Sequence, residues 1–191
     1  RGIKIIRDFG AIVKHNNIKA AIKFQIRDVQ NFVHKDFKNH ESRYIQKTLA
    51  TEMSFEDYFK MAEEVRNVGC IPMATPFDEN SVDTCMQLGF EIIKIASSDA
   101  NDWPLIQKVA ETGKPVIVSN GGLSEKDLDD LVKFFENRKI PLAINHCVSL
   151  YPSEDSELML DQIDYLRERY PNNLIGFSSH EYHDWASSMF I

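Results

Sequence analysis

Cysteine is scarce in this sequence. Cys70, Cys85 and Cys147 are the only three in 191 residues, and no two stand at a Cys-x-x-Cys spacing. That excludes a disulfide framework and a zinc knuckle, and it fits a reducing compartment, so the expected location is cytoplasmic. Long hydrophobic runs are also missing. No stretch approaches the roughly 18–20 apolar residues a membrane span needs, and no signal-peptide pattern opens the chain. Nor is there an excess of positive charge: 22 Lys and Arg face 29 Asp and Glu, a net charge of −7. This balance argues against nucleic-acid or membrane partners, yet leaves room for a local basic pocket that takes a phosphorylated substrate. A Gly-rich phosphate turn of the G-x-G-x-x-G kind is absent, which weighs against a dinucleotide-binding sheet.

What is present is ordinary for a globular protein, with 43% hydrophobic and 27% charged residues. At about 100–200 residues per domain, the length suits one domain with a real core. The chain opens on Arg1-Gly2 and ends in an apolar stretch at Ile191, which reads as an excerpt of a longer protein.

One rhythm repeats. A short β-branched run leads to a polar turn, then to a helical pattern, then to a Gly or Pro. The runs are Ala21–Gln25, Cys70–Ala74, Ile92–Ala96, Val116–Ser119, Leu142–His146 and Leu174–Ser178. After a first gap of 49 residues their starts are 22, 24, 26 and 32 apart, the length of one βα unit. The runs are apolar on both faces, as parallel strands covered by helices are. Between them, Phe55, Tyr58, Phe59, Ala62 and Val65 mark a helix stopped by Gly69. Ser124 with Asp127 marks the start of another, whose apolar face is Leu128, Leu131, Val132 and Phe135. Leu158 to Leu166 is a third, ended by Pro171. Ile26 to Ser54 is expected to be a long irregular loop on the functional side. Phe32, Phe37, Phe134, Phe135 and Trp103 read as core or helix-packing residues, and Asp127 to Asp130 as a solvated face.

The alternation predicts an α/β fold, either an open sheet or a (β/α)8 TIM barrel. A full barrel needs about 250 residues, so about six of eight βα units over residues 1–191 suggest a partial one, with a strand missing at each end. Active-site residues of a barrel sit at the C-terminal ends of its strands. Here those ends carry Lys23, Gln25, Thr75, Lys94, Ser97, Asp99, Ser119, Asn120, His146, Ser149, Tyr151, Ser178 and His180. Lys23 and Lys94 interrupt apolar runs. Each requires an anionic partner or a lowered pKa, because burying a bare ammonium is costly. One such lysine reads as paired with a barrel carboxylate; two on one rim favour a bound phosphate or carboxylate. His146 reads as a hydrogen-bonded structural group before a metal ligand. Cys147 beside it makes no nucleophile pair, since neighbouring strand residues point to opposite faces. His180, Glu181 and His183 form a denser group without an H-E-x-x-H helix.

Six segments occur in series: Lys23-Phe24-Gln25, Ala74 to Asp78, Lys94 to Ser97, Thr112 to Ser119, His146 to Pro152 and Ile175 to His180. Together, from about Ile18 to His180, they resemble the sialic acid synthase family, the N-acetylneuraminate synthase type. The resemblance implies a (β/α)8 barrel, often followed by an antifreeze-like domain that completes the site of a partner subunit in a homodimer. It implies condensation of phosphoenolpyruvate with an N-acylated hexosamine such as N-acetylmannosamine, giving a nonulosonic acid and phosphate. A divalent metal, Mn2+ or Mg2+, would hold the open-chain aldehyde, with His180 one ligand. Lys23, Lys94, Gln25, Thr75, Ser97 and Ser119 would hold the phosphate and carboxylate of phosphoenolpyruvate, and Ser149, Tyr151 and Ser178 would line the same pocket. Lys94 and Asp99 would be catalytic, Asp99 acting on the attacking water.

The sequence departs from the family in places. Asp99 stands where Glu is usual, Asn120-Gly121-Gly122 where Thr-Gly-Met is, Ser149 at an Asn position and Ser179 at an Asp position. Two other readings stay open: a Schiff-base pyruvate aldolase using Lys94 or Lys23, and a degenerate barrel that binds sugar without catalysis. The acceptor could be N-acetylmannosamine, its 6-phosphate or a diacylated bacterial sugar, with selectivity expected in Phe32 to Arg43. The 191-residue piece alone is expected to be inactive.

Overall fold

The computed structural model describes residues 1–38 and 41–180. Six strands, β1 (Ala21–Ile26), β2 (Ile71–Pro76), β3 (Ile92–Ile95), β4 (Val116–Ser119), β5 (Leu142–Cys147) and β6 (Leu174–Ser178), follow one another in the sheet in sequence order. The pairs β1–β2, β3–β4, β4–β5 and β5–β6 are parallel. Parallel neighbours in chain order, each joined through helix, are the winding of six of the eight units of a (β/α)8 barrel. Among the described residues no helix is long and apolar enough to cross a membrane. The chain forms two compact units, Arg1–Ile92 and Ile93–Ile191.

In the first unit, α1 (Gly2–His15) turns Ile6, Gly10 and Val13 inward against α4 (Phe55–Asn67). Ile6, Val13, Val65 and Cys70 form the core, with Ile22, Phe24 and Met61 packed on it. A Cβ on Gly10 would lie 2.4 Å from Cβ of Val68, so the two helices approach as they do only because the residue is glycine. Ser54 caps α4 by accepting the Asp57 N–H, and Gly69, at φ +79°, ends it. Cys70 donates its N–H to the Val65 carbonyl and so belongs to that helix stop. The expected strand at Cys70–Ala74 therefore starts one residue later, and it runs on to Pro76, which pairs with Ile26.

The expected irregular loop over Ile26–Ser54 is instead partly helical. It holds α2 (Val29–Phe32), a 3-10 turn at Lys35–Phe37 and α3 (Arg43–Ala50). Phe32 and Phe37 are exposed rather than core, as are Phe55 and Phe59 of α4. Asp78 caps α5 (Glu79–Gln87), which buries Val82 and Cys85 against β2.

In the second unit, Ile93, Ile95, Val118 and Ile144 of the strands are fully buried with Leu131 and Phe135 of α7 (Glu125–Asn137). Asp102 caps α6 (Trp103–Glu111) and Ser124 caps α7, accepting the Asp127 N–H at 3.2 Å. The acidic run is not simply solvated: Asp129 binds Arg169 Nη2 at 2.7 Å and accepts from the Tyr170 hydroxyl at 2.8 Å. Phe135 is core as expected, and Trp103 of α6 packs its ring edge-on against Phe134 of α7 at 5.4 Å, a helix-packing contact, although Trp103 is 41% exposed and Phe134 also lies under the Arg138 guanidinium. The helix expected from Leu158 begins later, as α8 (Asp161–Arg169), because Met159 takes a left-handed φ of +48° that interrupts helical hydrogen bonding.

Candidate active site

At the exit of β1, residues 23 and 25 share a face because strand side chains alternate. Lys23 is half-buried and its Nζ donates to Oγ1 of the buried Thr75 at 3.1 Å. Gln25 pairs in register with Thr75. Its side-chain oxygen accepts both terminal nitrogens of Arg27, at 3.3 and 3.2 Å, and its carbonyl accepts the Tyr58 hydroxyl at 3.0 Å. The Arg27 guanidinium lies 3.7 Å over the Phe77 ring. A cavity of about 310 Å3 opens here, lined by Lys23, Gln25, Arg27, Thr48, Glu52 and Tyr58 among others. Behind it, Asp28 donates its backbone N–H to Asp78 at 2.8 Å, and its carboxylate accepts from Asn31 at 2.7 Å and Asn80 at 2.9 Å. Those amide bonds hold the Asp28 carboxyl below its ordinary value. Arg27 and Asp28 were not singled out in the sequence. The available signal was that Arg27 continues the 23, 25, 27 alternation.

In the second unit, Lys94 sits half-buried in β3. Burial pushes its ammonium below the ordinary lysine value, partly opposed by the nearby Cys147 thiol. Among the described residues no carboxylate meets it, so the pairing with a barrel carboxylate does not occur there. Ser97 and Asp99 bound a 3-10 turn just past the strand, with Asp99 partly buried. Ser119 ends β4, and its buried hydroxyl has no hydrogen-bond partner among the described residues. Ser149 donates to Ser97 at 3.4 Å across the exits of β5 and β3. The exposed Tyr151 ring lies 4.5 Å from that of His180, whose Nε2 is 3.3 Å from the Ser178 hydroxyl. The structure thus gathers Lys23 with Thr75, Ser97 with Ser149, and Tyr151 with Ser178 and His180. It forms no direct bond linking Lys94, Asp99 and Ser119 to one another.

His146 is structural, as its lone position suggested. It is buried, stacks on Phe177, and its Nε2 faces the Leu158 carbonyl at 2.8 Å. A carbonyl only accepts, so Nε2 carries the proton. Among the described residues no three His, Cys, Asp or Glu side chains gather as metal ligands. Glu181 and His183, grouped with His180 in the sequence, lie outside the described residues, as does His40 of the stretch expected to select the acceptor.

An N-acetylneuraminate-9-phosphate synthase of Drosophila melanogaster is 34% identical over 131 residues, which cover 68% of this chain and 35% of that protein. A crystal structure of a spore coat polysaccharide biosynthesis protein E from Chromobacterium violaceum superposes with a TM-score of 0.92 at 36% identity, over 95% of this chain and 54% of that one. An N-acetylneuraminic acid synthetase from Leptospira borgpetersenii, crystallised with citrate, gives 0.85 at 25% identity, over 99% and 62%. The chain spans under half the length of the curated relatives it matches. The NeuB family model matches residues 13–189, nearly the whole sequence. On that match the chain belongs to the NeuB family.

Proposed function

We propose that the protein containing this chain condenses phosphoenolpyruvate with an N-acylated hexosamine, giving a nonulosonic acid and inorganic phosphate. The observation that carries this reading is Lys94: a half-buried ammonium at the C-terminal end of a parallel strand, with no carboxylate bonded to it among the described residues. Such a site stabilises a bound anion, which repays the desolvation of the charge. The buried Ser119 hydroxyl, also without a partner among the described residues, offers a further donor. Lys23 presents a second cation on Thr75.

In the reaction, C3 of the enolpyruvyl group bonds to the aldehyde carbon of the open-chain sugar, whose oxygen takes a proton. Water adds to C2 and loses one proton to Asp99, which balances the proton taken by the sugar oxygen; as the C2 hydroxyl becomes the keto oxygen, the bond from C2 to the phosphate oxygen breaks and the hydroxyl proton leaves with the phosphate. In the second unit, Lys94, Ser97 and Ser119 would bind the anion beside Ser149, Tyr151 and Ser178; in the first, Lys23 with Thr75 and Gln25 would offer phosphate-binding groups of their own. A divalent ion, Mn2+ or Mg2+, would polarise the aldehyde, with His180 as one ligand. Among the described residues no group of three His, Cys, Asp or Glu side chains forms, so they do not by themselves complete a site for it. In this proposal the working protein is a cytoplasmic homodimer.

The test is phosphate release from phosphoenolpyruvate by the full-length protein with N-acetylmannosamine, with and without Mn2+. Release that depends on the sugar supports the reading, and a manganese requirement supports the ion. Saturable phosphoenolpyruvate binding with no release on any hexosamine would leave a sugar-binding barrel without catalysis. Burial that pushes the Lys94 ammonium below the ordinary lysine value also favours a second reading, Schiff-base chemistry at this amine. Trapping of a pyruvyl adduct on Lys94 by borohydride would select that one.

A further inference from the structure

We infer that Asn120 is a positioning residue, which sets the Ser149 hydroxyl against Ser97 by holding the backbone of Cys147. The inference rests on the synthase reading above, in which both serines touch phosphoenolpyruvate.

Asn120 is the first residue beyond β4. Its backbone N–H donates to the Asn145 carbonyl at 3.1 Å, so it still follows β5. Its side-chain Oδ1 accepts the N–H of Cys147, the last residue of β5, at 3.0 Å. One side chain thus closes the ladder at the point where the β5 chain turns away toward Ser149. The next residue fixes the turn from the other side. A Cβ on Gly121 would lie 2.2 Å from the Ser149 Oγ and 3.0 Å from the Cys147 carbonyl oxygen, so the backbone passes directly against the serine. Held between these two contacts, the Ser149 hydroxyl donates to Ser97 at 3.4 Å and sits 3.9 Å from the Cys147 sulfur.

Three strand exits, those of β3, β4 and β5, therefore converge on one hydroxyl, and Asn120 touches it only through Cys147. A residue that merely capped the ladder would alter stability and leave substrate affinity to others. A positioning residue acts on affinity through Ser149, and its effect vanishes when Ser149 loses its hydroxyl. Side chains coupled through a shared contact give non-additive effects, whereas independent ones add.

The experiment is a double-mutant cycle in the full-length protein, reading KM for phosphoenolpyruvate and kcat for N120A, S149A and the double variant. N120A is expected to raise KM about tenfold with kcat within about threefold, and the double variant to match S149A alone. An unchanged KM in N120A, or effects that multiply in the double variant, would overturn the inference. If N120A does not fold, Asn120→Thr, whose hydroxyl is a shorter acceptor, enters the same cycle under the same criteria. Wild-type protein that releases no phosphate with any hexosamine would sink the synthase reading itself, and the positioning role with it.

Discussion

Lys94 shows at the scale of one residue how binding and stability oppose each other. Its folded pKa lies below the ordinary lysine value, chiefly through burial. The folded chain therefore binds fewer protons than the unfolded one between that lowered pKa and about 10.4. Stability contributed by this group rises with pH across that window, and at neutral pH the charge is a cost. Lys94→Met is expected to raise the thermal midpoint while weakening phosphoenolpyruvate binding at least about 100-fold, read by scanning calorimetry and titration calorimetry. A variant that loses stability and keeps its affinity would remove Lys94 from the anion site. Binding by the wild-type protein should fall as pH rises through the lowered pKa, because the anion needs the ammonium. His146 makes the complementary case. His146→Phe strips the donor from the buried Leu158 carbonyl and should cost about 1–3 kcal/mol in urea unfolding without altering metal content. At this scale the sequence reading of a lone strand-end histidine as locally bonded is borne out at His146, while the lysine inside an apolar run carries its bound anion only as part of the proposed function. Arg27 went unread, and Asn120 was read only as a strand-end residue, because their roles depend on which side chains meet across strands, and that is set by register.

Among the elements, the strands were legible to within a residue or two because parallel strands buried on both faces write an unbroken apolar run. Errors came where a terminal residue serves a neighbouring element, as Cys70 does for α4. The start of α7 was legible for a similar reason, since Ser124 with Asp127 is a local bond visible in four residues, whereas the start expected at Leu158 fell three residues early. α3 was not, because none of its residues is buried and its pattern carries no core face. Two variants test how the elements are pinned. Gly10→Ala would drive a methyl into Val68 where α1 crosses α4, at an expected cost of about 1–3 kcal/mol by denaturant unfolding. An unchanged midpoint would mean that the helices slide apart freely. Asp28 ties the exit of β1 to α2 and α5 through Asn31 and Asn80. Its folded pKa is depressed, so the tie is present above the ordinary carboxylate range and lost as pH falls through the lowered value. Asp28→Ala should speed amide exchange at Phe32 and Val33 relative to α4, and equal exchange in both proteins would count against the tie.

At the scale of the whole molecule, the first unit carries a surface the rest of the sequence did not foretell. Ile5, Phe9 and Ile12 of α1 are 58%, 41% and 58% exposed and, at i, i+4 and i+7, make one stripe. A mostly apolar cavity of about 250 Å3, lined by Ile5, Ile6, Phe9, Ala21, Ile22 and Lys23, runs from that stripe to β1, which ends the sheet order of the described strands. Among the described residues no strand pairs with the outer side of β1, and an uncovered strand edge beside an apolar stripe is a combination that folded proteins normally cover, because it templates pairing with another chain. The helical spacing of α1 was readable, but which of its faces would be covered depends on neighbours that spacing does not name. The 191-residue chain on its own should therefore bind a hydrophobic dye and show a concentration-dependent sedimentation coefficient. Ile5→Glu with Ile12→Glu should reduce both and leave the unfolding midpoint within about 0.5 kcal/mol, as for surface changes remote from the core. If the unmodified chain sediments as a dye-silent monomer, the stripe is solvated as it stands and carries no drive to associate. If the double variant instead unfolds, those side chains pack more deeply than their exposure indicates, and the stripe belongs to the core of the first unit.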